Sequence, residues 1–117
     1  MEKFVVFGRY CEDAIFKREP FREQHLNRLK NLKDRDILVT LGPTKCTKYL
    51  FGIFNANDKN ELKDLIEEDI YWKKGIWINY DIYPWIPIYI ILNKIFQLIC
   101  IISIKNSKQI FSTFCRS

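Results

Sequence analysis

Two stretches of helical period stand between four short runs of β-branched and aromatic residues, and that order leaves few folds open. Residues 3–10, Lys3-Phe-Val-Val-Phe-Gly-Arg-Tyr10, predict a strand buried on both faces. A polar stretch from Cys11 to Glu19 leads to Pro20, a residue favoured in the first turn of a helix. From there to Lys33, Phe21, His25, Leu29 and Leu32 form one stripe, with Glu23, Gln24, Asn27, Arg28, Lys30 and Asn31 read as outside it. Asp34-Arg35-Asp36 breaks the pattern. Strands are predicted from Ile37 to Leu41, ending at Gly42-Pro43, and from Tyr49 to Phe54, followed by a turn at Asn55-Ala56-Asn57. Asp58 and Glu61 have capping-box spacing and open a second helix with a stripe of Leu62, Leu65 and Ile66. Gly75 ends the following loop, and Ile76 to Tyr83 reads as a fourth strand stopped by Pro84.

The order βαββαβ, closed with right-handed crossovers, predicts an α+β fold of the ferredoxin-like kind: a four-stranded antiparallel sheet with two helices on one face. The other face would present aromatic side chains to water. An apolar face of that size calls for a partner, and a second copy of the chain, sheet against sheet, supplies one.

Charge narrows the function classes. The net charge is +5, yet all 14 acidic residues lie at or before Asp81, and residues 1–83 hold 15 of the 19 basic ones. The last 34 residues carry Lys94, Lys105, Lys108 and Arg116 without an acid. The domain itself is nearly neutral, so a nucleic-acid-binding face is not expected. Met1-Glu2-Lys3-Phe4 lacks the features of a secretory signal. Cys11, Cys46, Cys100 and Cys115 form no C-x-x-C pair, which fits reduced thiols in a cytoplasmic protein. With one His, no metal site and no cofactor are expected.

The informative anomaly lies on the helices. At about 100° per residue, Phe21, Leu32, His25 and Leu29 fall at about 0°, 20°, 40° and 80°, so His25 sits inside an apolar stripe. Taking Leu62 as 0°, Ile66 falls at about 40° and Asp69 at about −20°, at the C-terminal end of the second helix, where the macrodipole disfavours an anion. Each polar group is costly there unless paired. Both helices lie on the same face of the sheet, so each can supply the other's partner. An Asp69 carboxylate bound to one ring nitrogen of His25 would leave the other free for proton transfer. Arg22, one turn before His25, is a candidate for binding an anionic substrate group. Taken alone, these residues equally fit a packed histidine, a solvated helix-end aspartate and a solvated arginine.

The ordered set of the N-terminal strand, Arg22-x-x-His25-Leu26, Gly42-Pro43, Asp69-x-Tyr71, Gly75 and Pro84-Trp85 resembles the YciI-like (YCII-related) family over roughly residues 1–86. The resemblance implies a homodimer in which two ferredoxin-like sheets form a dimeric α/β barrel. It also implies an active site around a His-Asp pair, carried here by His25 and Asp69. The better understood members act on small ring-hydroxylated or chlorinated aromatic compounds. One departure stands out: the family's usual Pro after that Asp is Ile70, which removes a rigid turn that would aim the carboxylate.

The expected organisation is therefore a domain at residues 1–86 and an apolar, basic extension at 87–117. Ile86 to Ile104 has about the length of a membrane span. Lys94 would sit mid-span at about 2.5–3.5 kcal/mol, so a membrane anchor competes with an added packing element and with a non-native, read-through-like extension. Two function classes follow. One is a small-molecule enzyme, with His25 as general acid or base, Asp69 orienting it, Arg22 holding an anionic group, and a substrate pocket between the helices and the barrel end. The other is a non-catalytic module of the same dimeric fold that binds a small ligand or a protein.

Overall fold

A computed structural model of the chain describes residues 1–88 and 96–102. It divides into two units, Met1–Trp85 and Ile86–Ser117. In the second, residues 96–102 are helical, and most of what was expected of the 87–117 extension falls outside the described residues.

The first unit runs β1 (Glu2–Tyr10), α1 (Ala14–Lys17), a 3-10 turn (Glu19–Phe21), α2 (Arg22–Asp34), β2 (Leu38–Pro43), β3 (Tyr49–Ala56), α3 (Lys59–Glu67), α4 (Ile70–Lys73) and β4 (Trp77–Trp85). The sheet order is β2-β3-β1-β4, every pairing antiparallel. This is the ferredoxin-like α+β arrangement that the element order predicts.

Side-chain alternation assigns the two faces. Phe4, Val6, Gly8 and Tyr10 of β1 are buried, as are Leu50, Gly52, Phe54 and Ala56 of β3. With Leu32 of α2 and Leu62 and Ile66 of α3 they form one core. The opposite face pairs Val5 with Ile53 and Phe7 with Phe51. Phe7 and Phe51 are each 43% exposed, so β1 is covered on one face of the single chain, whereas its composition predicted cover on both.

Several boundaries differ from expectation for identifiable reasons. The polar stretch before Pro20 contains α1, and Pro20 lies in the 3-10 turn that precedes α2. β2 continues through Gly42-Pro43 and β4 through Pro84, because both are edge strands, where a missing amide N–H need not break the ladder. β3 extends to Ala56: the Asn55 amide N–H donates to the Ile37 carbonyl, and its side chain ties Lys3 to the Asp36 carbonyl.

A register shift at Arg9/Tyr10 brings Tyr10 opposite Trp77 while Arg9 faces Asn79. The extra residue, Ile78, turns outward, and Trp77 joins Ile82 on the core face. Strict alternation of β4 would have placed Ile78 inside. Gly8 lies beside this bulge, where a β-carbon would collide with the Asn79 carbonyl oxygen and press on Tyr80. The obstructing atom belongs to the backbone, so relief requires the strand itself to shift. Gly8→Ala is therefore expected to destabilise the domain by about 1–3 kcal/mol, the usual range for overpacking, read as a lower urea midpoint at unchanged slope. An unchanged midpoint would mean that the bulge is plastic.

Candidate active site

α2 meets the α3–α4 corner on the covered side of the sheet. The second helix ends at Glu67, and Asp69 does not belong to its last turn as periodicity implied. Asp69 is the N-cap of the separate one-turn helix α4, with extended backbone (φ −68°, ψ 139°), and its Oδ1 accepts from the Tyr71 amide at 2.9 Å. An N-cap anion satisfies helix-start donors, so the expected dipole penalty is absent. Ile70, standing where the family's proline would, occupies the first helical position, and the capping bond holds the turn without it.

The other end of α4 is equally defined. Gly75 (φ +70°) takes the left-handed conformation, its N–H bonding to the Trp72 carbonyl and that of Ile76 to the Tyr71 carbonyl. These two bonds make a Schellman stop, which a residue without a β-carbon adopts at least cost. Asp69 and Tyr71 are thus presented from a turn pinned at both ends.

Onto this turn α2 projects His25. His25 Nδ1 lies 2.8 Å from Asp69 Oδ1. Asp69 is 0% and His25 4% exposed. The imidazole stacks on the Tyr71 ring (centroids 3.6 Å apart, 10° between planes) and meets the edge of Trp77 at 5.2 Å. A buried carboxylate needs each oxygen occupied. The second is met by Arg28, whose NH1 donates to Oδ2 at 3.1 Å while NH2 donates to the Leu65 carbonyl at 2.7 Å.

His25 and Asp69 therefore come together, and Arg22 stands apart. Arg22 is exposed, and its side chain makes no hydrogen bond or ion pair among the described residues. Its charge does reach the phenols of Tyr71 and Tyr10, and both phenols are pushed up by burial. The sequence expectation puts Arg28 outside the stripe. Its angle from Phe21, about −20°, places it inside, three residues after His25, and that spacing was the available signal. Tyr71 carries a signal only as part of the Asp69-x-Tyr71 motif, and Trp77 has none beyond its aromatic character.

The surrounding space also departs from expectation. A cavity of about 1140 Å³ opens beyond the end of β1, lined among others by Tyr10, Cys11, Phe16, Cys46, Lys48 and Ile78. Neither His25, Asp69 nor Arg22 lines it, contrary to the expected pocket beside the histidine. Tyr10 links the two regions: it borders the cavity, and its phenol feels the Trp77 indole, Arg18, Asp69 and Arg22. The Trp77 Nε1, like the Arg18 Nε, is buried without a partner at hydrogen-bonding geometry.

At the cavity edge, the Cys46 thiol is held below the usual range, first by the Thr44 hydroxyl 3.2 Å from Sγ and then by the Lys48 backbone. A larger thiolate fraction near neutral pH follows. Iodoacetamide at pH 7 is therefore expected to label Cys46 several-fold faster than Cys11 or Cys100, read by peptide mass mapping, with Thr44→Val narrowing the gap. Equal labelling would mean that the turn does not activate the thiol. Among the described residues no group of three His, Cys, Asp or Glu side chains is placed to hold a metal ion.

Comparison with known proteins identifies the family and the fold. A family model described as the YCII-related domain matches residues 2–86. Among solved structures, the chain is similar to 5-chloro-2-hydroxyhydroquinone dehydrochlorinase (TftG) from Burkholderia phenoliruptrix AC1100, in complex with 2,5-dihydroxybenzoquinone. The two are 22% identical with a TM-score of 0.63, covering 72% of this chain and 93% of that one, a likeness that concerns the fold. No curated protein matches the chain.

Proposed function

This chain belongs to the family of YCII-related domains, and from that premise we propose that it is a small-molecule enzyme working by acid–base catalysis. His25 is the general base or acid, Asp69 orients it, and Arg22 holds an anionic group of the substrate. The observation that carries this reading is the 2.8 Å contact between His25 Nδ1 and Asp69 Oδ1, two side chains that are buried together. A buried His-carboxylate pair keeps one imidazole nitrogen occupied and leaves the other for the proton that moves. Two donors with free charge, Arg22 near the phenols and Lys48 at the cavity, suit substrates that are anionic or become so. Small ring-hydroxylated or chlorinated aromatic compounds are the class to try first, in line with the quinone-bound dehydrochlorinase.

The active species is a homodimer in the cytoplasm, formed by residues 1–86 through the open sheet face, with residues 87–117 appended to it. A substrate screen on the full chain tests the catalytic reading: turnover that disappears in a folded His25→Ala variant supports it. The second reading is a non-catalytic ligand-binding module. It is favoured by one observation, the separation of the large cavity from His25, and it gains if a ligand binds that cavity with no turnover.

A further inference from the structure

We propose that Arg28 is the positioning residue of the His25–Asp69 pair. By holding Oδ2 of Asp69 it aims Oδ1 at the imidazole, and so fixes His25 as the tautomer with hydrogen on Nδ1 and a free lone pair on Nε2. The inference rests on the acid–base reading of His25 and names the residue that sets its working form.

The distance between His25 and Asp69 does not by itself say which atom carries the hydrogen. The carboxylate's other contacts do. Oδ1 accepts from the Tyr71 amide at 2.9 Å, and Oδ2 accepts from Arg28 NH1 at 3.1 Å. Both of those donors are obligate, since a backbone N–H and a guanidinium have no lone pair to offer. With each oxygen already accepting, the carboxylate is an acceptor toward the imidazole as well, so Nδ1 supplies the hydrogen.

Arg28 is the part of this arrangement that the backbone does not guarantee. An aspartate's terminal torsion is broad and roughly two-fold, and the Tyr71 amide engages only the oxygen that His25 also uses. A second fixed donor on Oδ2 removes the remaining rotation. Arg28 is itself fixed, because its other terminal nitrogen donates to the Leu65 carbonyl at 2.7 Å. The guanidinium fork thus spans the carboxylate and the end of α3, two acceptors that a single ammonium cannot engage in the same planar geometry. Glu68 lies 3.8 Å from the same guanidinium but is solvent-facing and adds little.

His25 is the only histidine of the 117 residues, so a long-range ¹H–¹⁵N spectrum of the ¹⁵N-labelled full chain holds one imidazole. At a pH where the ring is neutral, the wild type is expected to show a protonated-type Nδ1 and a pyridine-type Nε2. Arg28→Met should lower the ratio of the Nδ1–H to the Nε2–H form roughly tenfold, the loss expected when a hydrogen bond to a charged group disappears. Arg28→Lys should restore part of it, and Arg35→Met, an exposed change at the C-terminal cap of the same helix, should leave the ratio unchanged. If Arg28→Met does not fold, the ratio is read in Arg28→Gln, whose amide still reaches toward the Leu65 carbonyl. A folded variant with an unchanged ratio overturns the proposal and makes Arg28 a strut between α2 and α3. A wild type with hydrogen on Nε2 overturns it too, along with the orientation of the pair. A tautomer that depends on Arg28, in a protein whose His25→Ala variant keeps its turnover, leaves the proposal standing and removes the catalytic reading instead.

Discussion

Replacing His25 with alanine is expected to reduce turnover by at least about 10²–10⁴-fold, the contribution of a positioned general acid or base, while the chain stays folded. The side chain is the only imidazole available, and its removal leaves no other group hydrogen-bonded to Asp69 that can exchange a proton near neutral pH. The substitution also strips a neighbour from the Tyr71 ring and from a buried carboxylate, so some stability is lost. His25→Gln separates the two effects: its amide can still donate to Asp69 but cannot act as a base. Both variants inactive, with the glutamine form near wild-type stability, is the expected result. A His25→Ala protein that turns over substrate normally would remove His25 from the chemistry.

The second large effect concerns the open face of the sheet. Phe7 and Phe51 are opposite one another on β1 and β3, Tyr49 stacks on Phe7 at 5.7 Å between centroids, and Tyr83 and Trp85 extend the surface on β4. If two copies cover these faces mutually, two-fold symmetry places every substitution there twice. Phe51→Glu should then bury unpaired carboxylates at a cost of about 3–5 kcal/mol, roughly two to three and a half orders of magnitude in dissociation constant. Sedimentation would show the wild type as a dimer at micromolar concentration and the variant as a monomer with intact secondary structure. The chain shortened to end at Ile86 should remain a dimer, because the proposed contact uses the sheet alone. A wild-type monomer under those conditions would remove the barrel assembly from the account.

How much of the site was legible in the sequence depends on which physical signal each residue leaves. His25 and Asp69 stood out because a polar group inside an apolar stripe is costly, and the cost is visible from periodicity alone. Arg28 has nearly the same angular position as Phe21, yet a long cationic side chain at a stripe's edge is ordinarily solvated. Only the Leu65 carbonyl and Asp69, brought across from α3 and α4, reveal why it turns inward. Asp69 illustrates the converse. Its partner was foreseen, but its local structure was not, because the helical period continues past Glu67 while the backbone breaks to cap α4.

The order of the four strands and two main helices, the antiparallel sheet with one bare face, and the two polar residues that must find partners all follow from periodicity and burial cost. The bulge that turns Trp77 inward, the fork of Arg28 on Asp69, and the placing of the large cavity away from His25 have no such local signature. Each of these depends on residues distant in the chain meeting at a particular register. A one-residue shift in a strand, or one rotation of a carboxylate, changes the contacts completely while leaving the local pattern of apolar and polar residues the same.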